Sequence, residues 1–174
     1  FKDIHIIERD SNWGLEKSII AGVSEVLNKQ GKIIVLEDDV VTSPNFLTFM
    51  NDALDTYQQH PKIFSISGWS PPLRFPTTYP HEVYLSYRAL CWGWGTWIEK
   101  WKNVDWEVRD FENFKHDKSA QKQFETGGED LTDMLFNHMN GKINSWAIRW
   151  TYSQFRQKML SVVSKHSFVF NTGL

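Results

Sequence analysis

The feature that most constrains the fold is the run from Lys32 to Val40, which reads Lys-Ile-Ile-Val-Leu-Glu-Asp-Asp-Val. Its apolar part is mostly β-branched, which is typical of a strand buried on both faces of a mostly parallel sheet. The carboxylates of Glu37, Asp38 and Asp39 follow at the C-terminal end of this strand, where open α/β sheets bind ligands. Neighbouring acids repel one another unless a cation lies among them, and Mg²⁺ and Mn²⁺ prefer oxygen ligands. The run therefore predicts a metal-assisted site for a phosphorylated ligand, although an acidic turn would show the same residues.

The order of the patterns predicts an α/β fold. Strand patterns at about residues 4–8, 32–37 and 63–68 alternate with helix patterns at about 14–29 and 44–59. Two βα steps in succession predict a parallel sheet with right-handed crossovers and helices on its faces.

The rest of the chain fits the same single domain. Further strands are expected near residues 83–87, 162–163 and 168–170, and a further helix at about 129–140. The length of 174 residues is enough for one domain, and no linker or repeat divides it.

Composition excludes several classes of protein. The net charge of −2 and the pI near 6.3 provide no general attraction to nucleic acid or anionic lipid. No apolar stretch approaches the roughly 18 residues that span a bilayer. The single Cys91 excludes an intrachain disulfide and fits a reducing compartment. The lack of GxGxxG, Walker A and GxSxG motifs disfavours dinucleotide oxidoreductases, P-loop enzymes and serine hydrolases.

A second acidic pair, Glu129 and Asp130, follows two glycines at the predicted helix start near residue 129. Carboxylates are favoured there by the helix dipole, so capping is one interpretation. The other is a general base that takes a proton from an acceptor hydroxyl. In the first acidic run, Asp39 is best placed to reach a metal bridging a diphosphate, while Glu37 and Asp38 could contact a sugar or ribose hydroxyl.

Aromatic residues make up 15% of the chain, with nine Trp, and several of them lie among glycines. Residues 92–97 read Trp-Gly-Trp-Gly-Thr-Trp, a pattern in which the backbone can approach a ligand while indoles stack on it. Trp92, Trp94 and Trp69 are therefore candidate ligand contacts, with core filling as the alternative. For Trp97 and Trp101, core filling is the favoured interpretation.

Polar residues after the first predicted strand are also candidates. Arg9 and Asn12 are expected at the same sheet edge as the acidic run, where Arg9 could pair with a phosphate or with a carboxylate. Arg149 has the same ambiguity. The six His residues show no metal-ligand spacing.

Together these segments resemble nucleotide-sugar-dependent glycosyltransferases of the GT-A fold, near family 2 and the N-acetylglucosaminyltransferase I type. Residues 9–14 (Arg-x-x-Asn-x-Gly) resemble the segment before the metal motif, and residues 36–47 resemble the DXD-type motif with its Pro-x-Phe sequel. Residues 128–130 (Gly-Glu-Asp) resemble the catalytic-base motif. Residues 91–97 are similar to a stretch in bacterial members that build surface polysaccharide. The likeness covers roughly residues 5–174.

The resemblance implies a Rossmann-like GT-A domain that inverts configuration while transferring a hexosyl or N-acetylhexosaminyl group. The donor would be a UDP-sugar or another nucleoside-diphosphate sugar, and the acceptor a saccharide or a lipid-linked saccharide. It implies Mn²⁺ or Mg²⁺ at Asp39 and Asp130, or less readily Glu129, as the base. Donor contacts would come from Glu37, Asp38, Arg9 and Asn12.

The resemblance also implies how the chain is divided. Residues 1–90 would form the donor and metal half, and residues 91–174 the acceptor half. The family's first βα unit, which holds the nucleotide base, has no counterpart in this sequence, so we expect a fragment of the domain. The expected location is the cytoplasm, with peripheral attachment to the inner membrane as an extension of that hypothesis.

Two other classes of function remain open. A sugar nucleotidyltransferase-like enzyme also uses acids with Mg²⁺. It would be expected to show a glycine-rich phosphate loop near its N-terminus, in the region that we expect this fragment to lack, so the sequence does not test this alternative. A non-catalytic carbohydrate-binding domain would account for the Trp content, but it would have no need of two separate acidic clusters.

Overall fold

The computed structural model describes residues 3–173. Its helices are α1 (Gly14–Gln30), α2 (Phe46–Tyr57), α3 (Ile98–Trp101), α4 (Phe111–His116), α5 (Lys118–Phe124), α6 (Leu131–Met139) and α7 (Trp146–Arg156). Its strands are β1 (Lys32–Val35), β2 (Val40–Thr42), β3 (Ile63–Ser67), β4 (Val83–Ser86), β5 (Trp94–Trp97), β6 (Leu160–Ser164) and β7 (Val169–Asn171). The fold is therefore α/β. In residues 3–173, none of the helices is both long and apolar enough to cross a lipid bilayer.

The main sheet is mixed, so the predicted mostly parallel sheet is wrong. Its five strands follow the order β1-β5-β3-β6-β4. Only β3 and β6 pair in parallel, while β1–β5, β3–β5 and β4–β6 are antiparallel. The two βα steps do leave β1 and β3 running in the same direction, but β5 inserts between them.

Strand β5 was not predicted, because the alternation of Trp and Gly in residues 92–97 was interpreted as a candidate ligand contact. All four of its residues are buried. A Cβ atom on Gly95 would lie 2.7 Å from the carbonyl oxygen of Ile33, so glycine allows the two strands and α2 to approach closely. The Thr96 hydroxyl donates to the Phe64 carbonyl at 2.8 Å, which satisfies a polar group in this apolar layer.

Strand β1 lies at the edge of the sheet and is not buried on both faces. Ile33 and Ile34 are half-buried, and only Val35 is fully buried. The prediction came from a run of β-branched residues, which a buried central strand and an apolar edge strand share.

The strand predicted at residues 4–8 is wrong as well. This segment has no regular structure, and Ile4 and Ile6 are 86% and 77% exposed. Within residues 3–173 it pairs with no strand, and β-branched residues do not form a strand by themselves without a hydrogen-bonding neighbour.

Most of the indoles fill the core. Trp94 packs against Trp101, Trp146 and Trp150, with ring centroids 5.4–5.9 Å apart. Trp97 is also buried, and its indole N–H donates to the Leu54 carbonyl at 3.1 Å. The core interpretation of Trp97 and Trp101 is therefore confirmed. Helix α7 supplies Trp146 and Trp150, and the strands predicted near residues 162–163 and 168–170 follow it as β6 and β7.

Candidate functional site

The acidic run leaves the sheet directly after β1, and its three carboxylates enter different environments. Asp38 is exposed. Asp39 is half-buried against the small second sheet, in which β2 pairs with β7. The Asp39 carbonyl accepts from the Thr172 amide at 2.8 Å, and its carboxylate Oδ2 accepts from Asn171 Nδ2 at 3.2 Å. The β2–β7 pair therefore fixes the position of Asp39.

The second carboxylate oxygen of Asp39 is the feature that points to a ligand. Oδ1 is buried and has no hydrogen-bond partner in the described residues. A buried charged oxygen without a partner is unfavourable, and a cation would relieve this. No group of three or more His, Cys, Asp or Glu side chains within residues 3–173 is arranged to hold a metal. A Mg²⁺ or Mn²⁺ ion would thus take Asp39 as its protein carboxylate and complete its shell from water and substrate phosphate, which suits Mg²⁺.

Glu37 is an acid of this run whose pKa is changed by its surroundings. It is half-buried, and burial raises its pKa, with further increases from the charges of Asp39 and Asp38. Its charge also acts on Cys91, whose thiol pKa is raised to about 11, mainly by burial and then by Glu37. The thiol is therefore neutral near pH 7.

A cleft of about 450 Å³ extends from Cys91. Its lining is mainly apolar and aromatic. The residues that line it are Trp69, Pro71, Arg88, Ala89, Leu90, Cys91, Trp92, Gly127, Leu131, Met134, Ala147, Ile148 and Thr151. Arg88 is the one charged side chain among these described residues.

The two indoles of the cleft form a corner. Trp69 and Trp92 meet edge to face with centroids 4.7 Å apart, and both are partly exposed. Both pack against the core and still keep some exposed surface, so their role as ligand contacts stays a prediction. Trp94 keeps no such surface, because it is fully buried in the core, and its predicted role in acceptor binding is corrected.

Asp130 is held by Arg88, which lines the cleft, and it directly precedes Leu131, another lining residue. The two carboxylate oxygens accept from Arg88 Nη1 at 2.8 Å and from Nη2 at 3.0 Å. The Arg88 hydrogen bonds are the main cause of a lowered pKa of Asp130, against a smaller opposing effect of burial. Glu129 is exposed beside it. Helix α6 begins at Leu131, and the Asp130 side chain does not cap it.

The remaining sequence candidates lie elsewhere. The guanidinium of Arg9 stacks over Trp13 at 4.2 Å and lowers the pKa of Glu25 on α1, after the larger effects of Lys29. Asn12 accepts from the Gly14 amide at 2.7 Å and so shapes the start of α1. In the described part of the chain no hydrogen bond or ion pair joins either residue to the acidic run, because the strand that would have carried them there does not form.

Arg149 is structural. It is buried, its Nη2 lies 2.6 Å from Glu16 Oε1, and its Nη1 donates to the Trp106 carbonyl at 2.6 Å. Of the two partners considered for Arg149, a phosphate and a carboxylate, the structure shows the carboxylate of Glu16.

Sequence reasoning missed the roles of three residues of the site, which are Arg88, Asn171 and Gly128. Arg88 and Asp130 are 42 positions apart, and Asn171 is 132 positions from Asp39. Gly128 was noted at the helix start and in the Gly-Glu-Asp resemblance, but not for the space it leaves to Arg88 and Asp130. No local pattern in the sequence indicates such long-range pairs, and tertiary contacts alone bring them together.

No protein-family model matches the chain, and no curated protein matches its sequence. The geometry of the cleft and of the two acidic clusters therefore carries the functional conclusion.

Proposed function

We propose that the chain is the GT-A-type domain of an inverting glycosyltransferase, which transfers a sugar from a nucleoside-diphosphate sugar, such as a UDP-sugar, to a saccharide acceptor. The observation that carries the proposal is the apolar cleft, which contains two indoles and adjoins an ionised acid. Arg88 and Cys91 line it, Arg88 holds Asp130 by two hydrogen bonds, and the charge of Glu37 acts on Cys91. Both halves of the chain contribute to this cleft, as a two-substrate site requires.

The cleft suits a neutral sugar ring. Trp69 and Trp92 offer indole surfaces of the kind on which sugars stack. Arg88 is neutralised by Asp130, and the raised pKa of Cys91 keeps its thiol uncharged. The lining therefore carries no unbalanced charge that would select an ionic acceptor.

In the proposed reaction, the acceptor hydroxyl oxygen attacks the anomeric carbon while the bond from that carbon to the diphosphate oxygen breaks. Asp130 takes the hydroxyl proton, and the nucleoside diphosphate leaves with the bonding electrons. Asp39 would hold Mg²⁺ or Mn²⁺, which when bound stabilises negative charge on the diphosphate. Glu37 and Asp38 remain candidates for donor hydroxyl contacts.

We extend the proposal to surface-polysaccharide synthesis in the cytoplasm, because residues 91–97 resemble a stretch of bacterial glycosyltransferases that build surface polysaccharide. The free thiol of Cys91 is compatible with a reducing compartment. Peripheral attachment to the inner membrane and a lipid-linked acceptor are parts of the same hypothesis.

The test is Mn²⁺-dependent hydrolysis and transfer with a panel of UDP-sugars. We expect Asp39→Asn to abolish the effect of Mn²⁺ on UDP-sugar binding, measured by calorimetry, because the buried oxygen is lost. Asp52→Asn, an exposed acid on α2, is the matched control. Equal Mn²⁺ dependence in Asp39→Asn would overturn the metal assignment.

The base is tested separately. We expect Asp130→Asn to lower the transfer rate by about 10²-fold or more while leaving UDP-sugar affinity unchanged. Asp133 is an exposed acid on α6, the helix that begins directly after Asp130, and Asp133→Asn should keep the full rate. A full transfer rate in Asp130→Asn would contradict the assignment.

The second candidate is a carbohydrate-binding domain, which the exposed corner of Trp69 and Trp92 favours. Such a domain would bind glycans equally well with EDTA present and would not hydrolyse UDP-sugars.

A further inference from the structure

We propose that Arg88 is a positioning residue that holds the Asp130 carboxylate in a fixed orientation next to the cleft, and that Gly128 provides the space for this pair. The inference rests on the proposed function, since it explains how the proposed base is kept ready for the acceptor hydroxyl.

The first observation is the geometry of the pair. Two parallel hydrogen bonds, 2.8 and 3.0 Å long, join the guanidinium of Arg88 to the two oxygens of Asp130. This two-pronged contact fixes the plane of the carboxylate, which a single charge contact does not do. The carboxylate is half exposed, and its oxygens keep lone pairs for a further donor. An acceptor hydroxyl can therefore reach Asp130 while the pair remains intact.

The second observation is the anchoring of Arg88 itself. Its backbone amide donates to the Ser86 hydroxyl at 3.0 Å, and its carbonyl accepts from the same hydroxyl at 2.9 Å. Its Nη2 also lies 3.7 Å from the sulfur of Met134 on α6. The guanidinium is thus fixed between the end of β4 and α6, at the wall of the cleft.

The third observation is the space around Gly128. Its φ of +151° is rarely adopted by residues with a side chain. A Cβ atom there would lie 2.6 Å from Asp130 Oδ1 and 2.8 Å from Arg88 Nη1. Any side chain at this position would therefore push into the contact between the two residues. Glycine is therefore required here for two reasons. The pair leaves no space for a Cβ atom, and the backbone conformation disfavours any side chain.

The pair also determines the charge state of Asp130. Arg88 hydrogen bonds lower the pKa of Asp130, so the carboxylate stays ionised down to more acidic pH than an isolated Asp. The other charged residues near it along the chain, Glu125, Glu129 and Asp133, are all acidic and cannot neutralise it. Among the described residues, the salt-bridge partner of Asp130 is Arg88. Arg88 is therefore the cation that controls its titration.

The experiment titrates Asp130 by carboxyl-carbon NMR in the wild type and in Arg88→Met, Arg88→Lys and Gly128→Ala. We expect the Asp130 pKa to rise in Arg88→Met and Gly128→Ala, and to recover partly in Arg88→Lys, which keeps the charge but loses the two-pronged contact. The acidic limb of the pH profile of kcat/KM should move to higher pH by the same amount. A merely structural role of Arg88 would lower the rate without moving this limb.

Two matched controls separate the pair from general effects. Arg109→Met removes an arginine from an exposed contact with Asp105, and it should leave the Asp130 pKa unchanged. Gly141→Ala imposes the strain of a positive φ of 71° with nothing within 4 Å of the new Cβ atom. It should therefore not affect Asp130.

An unchanged Asp130 pKa in folded Arg88→Met overturns the inference. If Arg88→Met does not fold, then Arg88→Lys and Gly128→Ala decide the question by the same titration. If the wild type transfers no sugar, the proposed function fails, while the titration still shows whether Arg88 holds Asp130.

Discussion

At the scale of single residues, environment separates side chains that the sequence presents as equals. Glu37, Asp38 and Asp39 are consecutive acids, yet Glu37 is half-buried with a raised pKa, Asp38 is exposed, and Asp39 is held by Asn171. The difference arises because the chain turns directly after β1, so that neighbouring side chains face different elements.

His138 supplies a pH prediction at the same scale. Burial and the nearby charge of Arg149 lower its pKa, and its Nδ1 accepts from the Ser145 amide at 3.2 Å, which requires a neutral ring. The unfolded chain therefore binds this proton more readily than the folded chain. The stability that a neutral His138 provides is complete above about pH 6.5 and decreases as pH falls below that value.

We expect His138→Gln to reduce the loss of unfolding free energy between pH 7 and pH 5, as measured by urea unfolding at both values. His116→Gln, at an exposed position, is the control. The same pH dependence in His138→Gln and the wild type would contradict the prediction.

At the scale of elements, β5 shows why a glycine-rich aromatic segment becomes a central strand. Gly95 meets the Ile33 carbonyl of β1, and Met50 and Leu54 of α2 lie 3.2 Å from where its Cβ atom would be. Gly93, at φ +59°, in the same way avoids the side chain of Val169 on β7. The glycines were interpreted as making room for a ligand, but they make room for the core.

We expect Gly95→Ala to lower the free energy of unfolding by about 1–3 kcal/mol, because the added methyl group forces β1 and α2 apart. The matched control is Gly22→Ala within α1, where nothing lies within 4 Å of the added Cβ atom. That change should raise stability by about 0.5–1 kcal/mol, since alanine is the better helix former. Chemical unfolding of both variants tests the pair, and a neutral Gly95→Ala would show that β5 tolerates a side chain there.

At the scale of the whole molecule, the two expected halves of the chain are interleaved. Strand β5 from the second half lies between β1 and β3 of the first, and β6 lies between β3 and β4. The ion pair between Glu16 on α1 and Arg149 on α7 joins the two halves on another side. The halves therefore share one sheet and fold as one unit.

We expect Glu16→Gln to lower the free energy of unfolding by about 3 kcal/mol, because it leaves the Arg149 guanidinium, whose side chain is only 9% exposed, without a counter-charge. Glu25→Gln, which removes the exposed bridge to Lys29, should leave stability unchanged. Equal effects of the two substitutions in urea unfolding would show that burial does not distinguish the two bridges.

The sequence by itself determined the local elements whose signals are contained in a few turns. The apolar face of α2, with Phe46, Met50, Ala53 and Leu54, is buried as its spacing predicts. The Gly31 that ends α1 adopts a left-handed conformation, as expected at a helix C-terminus. The position of the acidic run after β1 was predicted in the same way, because it depends only on neighbouring residues.

The tertiary structure alone decided strand order, strand direction and the partners of the acids. A strand pattern carries no information on its neighbours, so β5 could insert between β1 and β3, and the segment at residues 4–8 could remain unpaired. The contacts of Asp39 with Asn171 and of Asp130 with Arg88 join distant parts of the chain. Such contacts form only when the packing of the core has already brought these segments together, which is why periodicity and local propensity could not predict them.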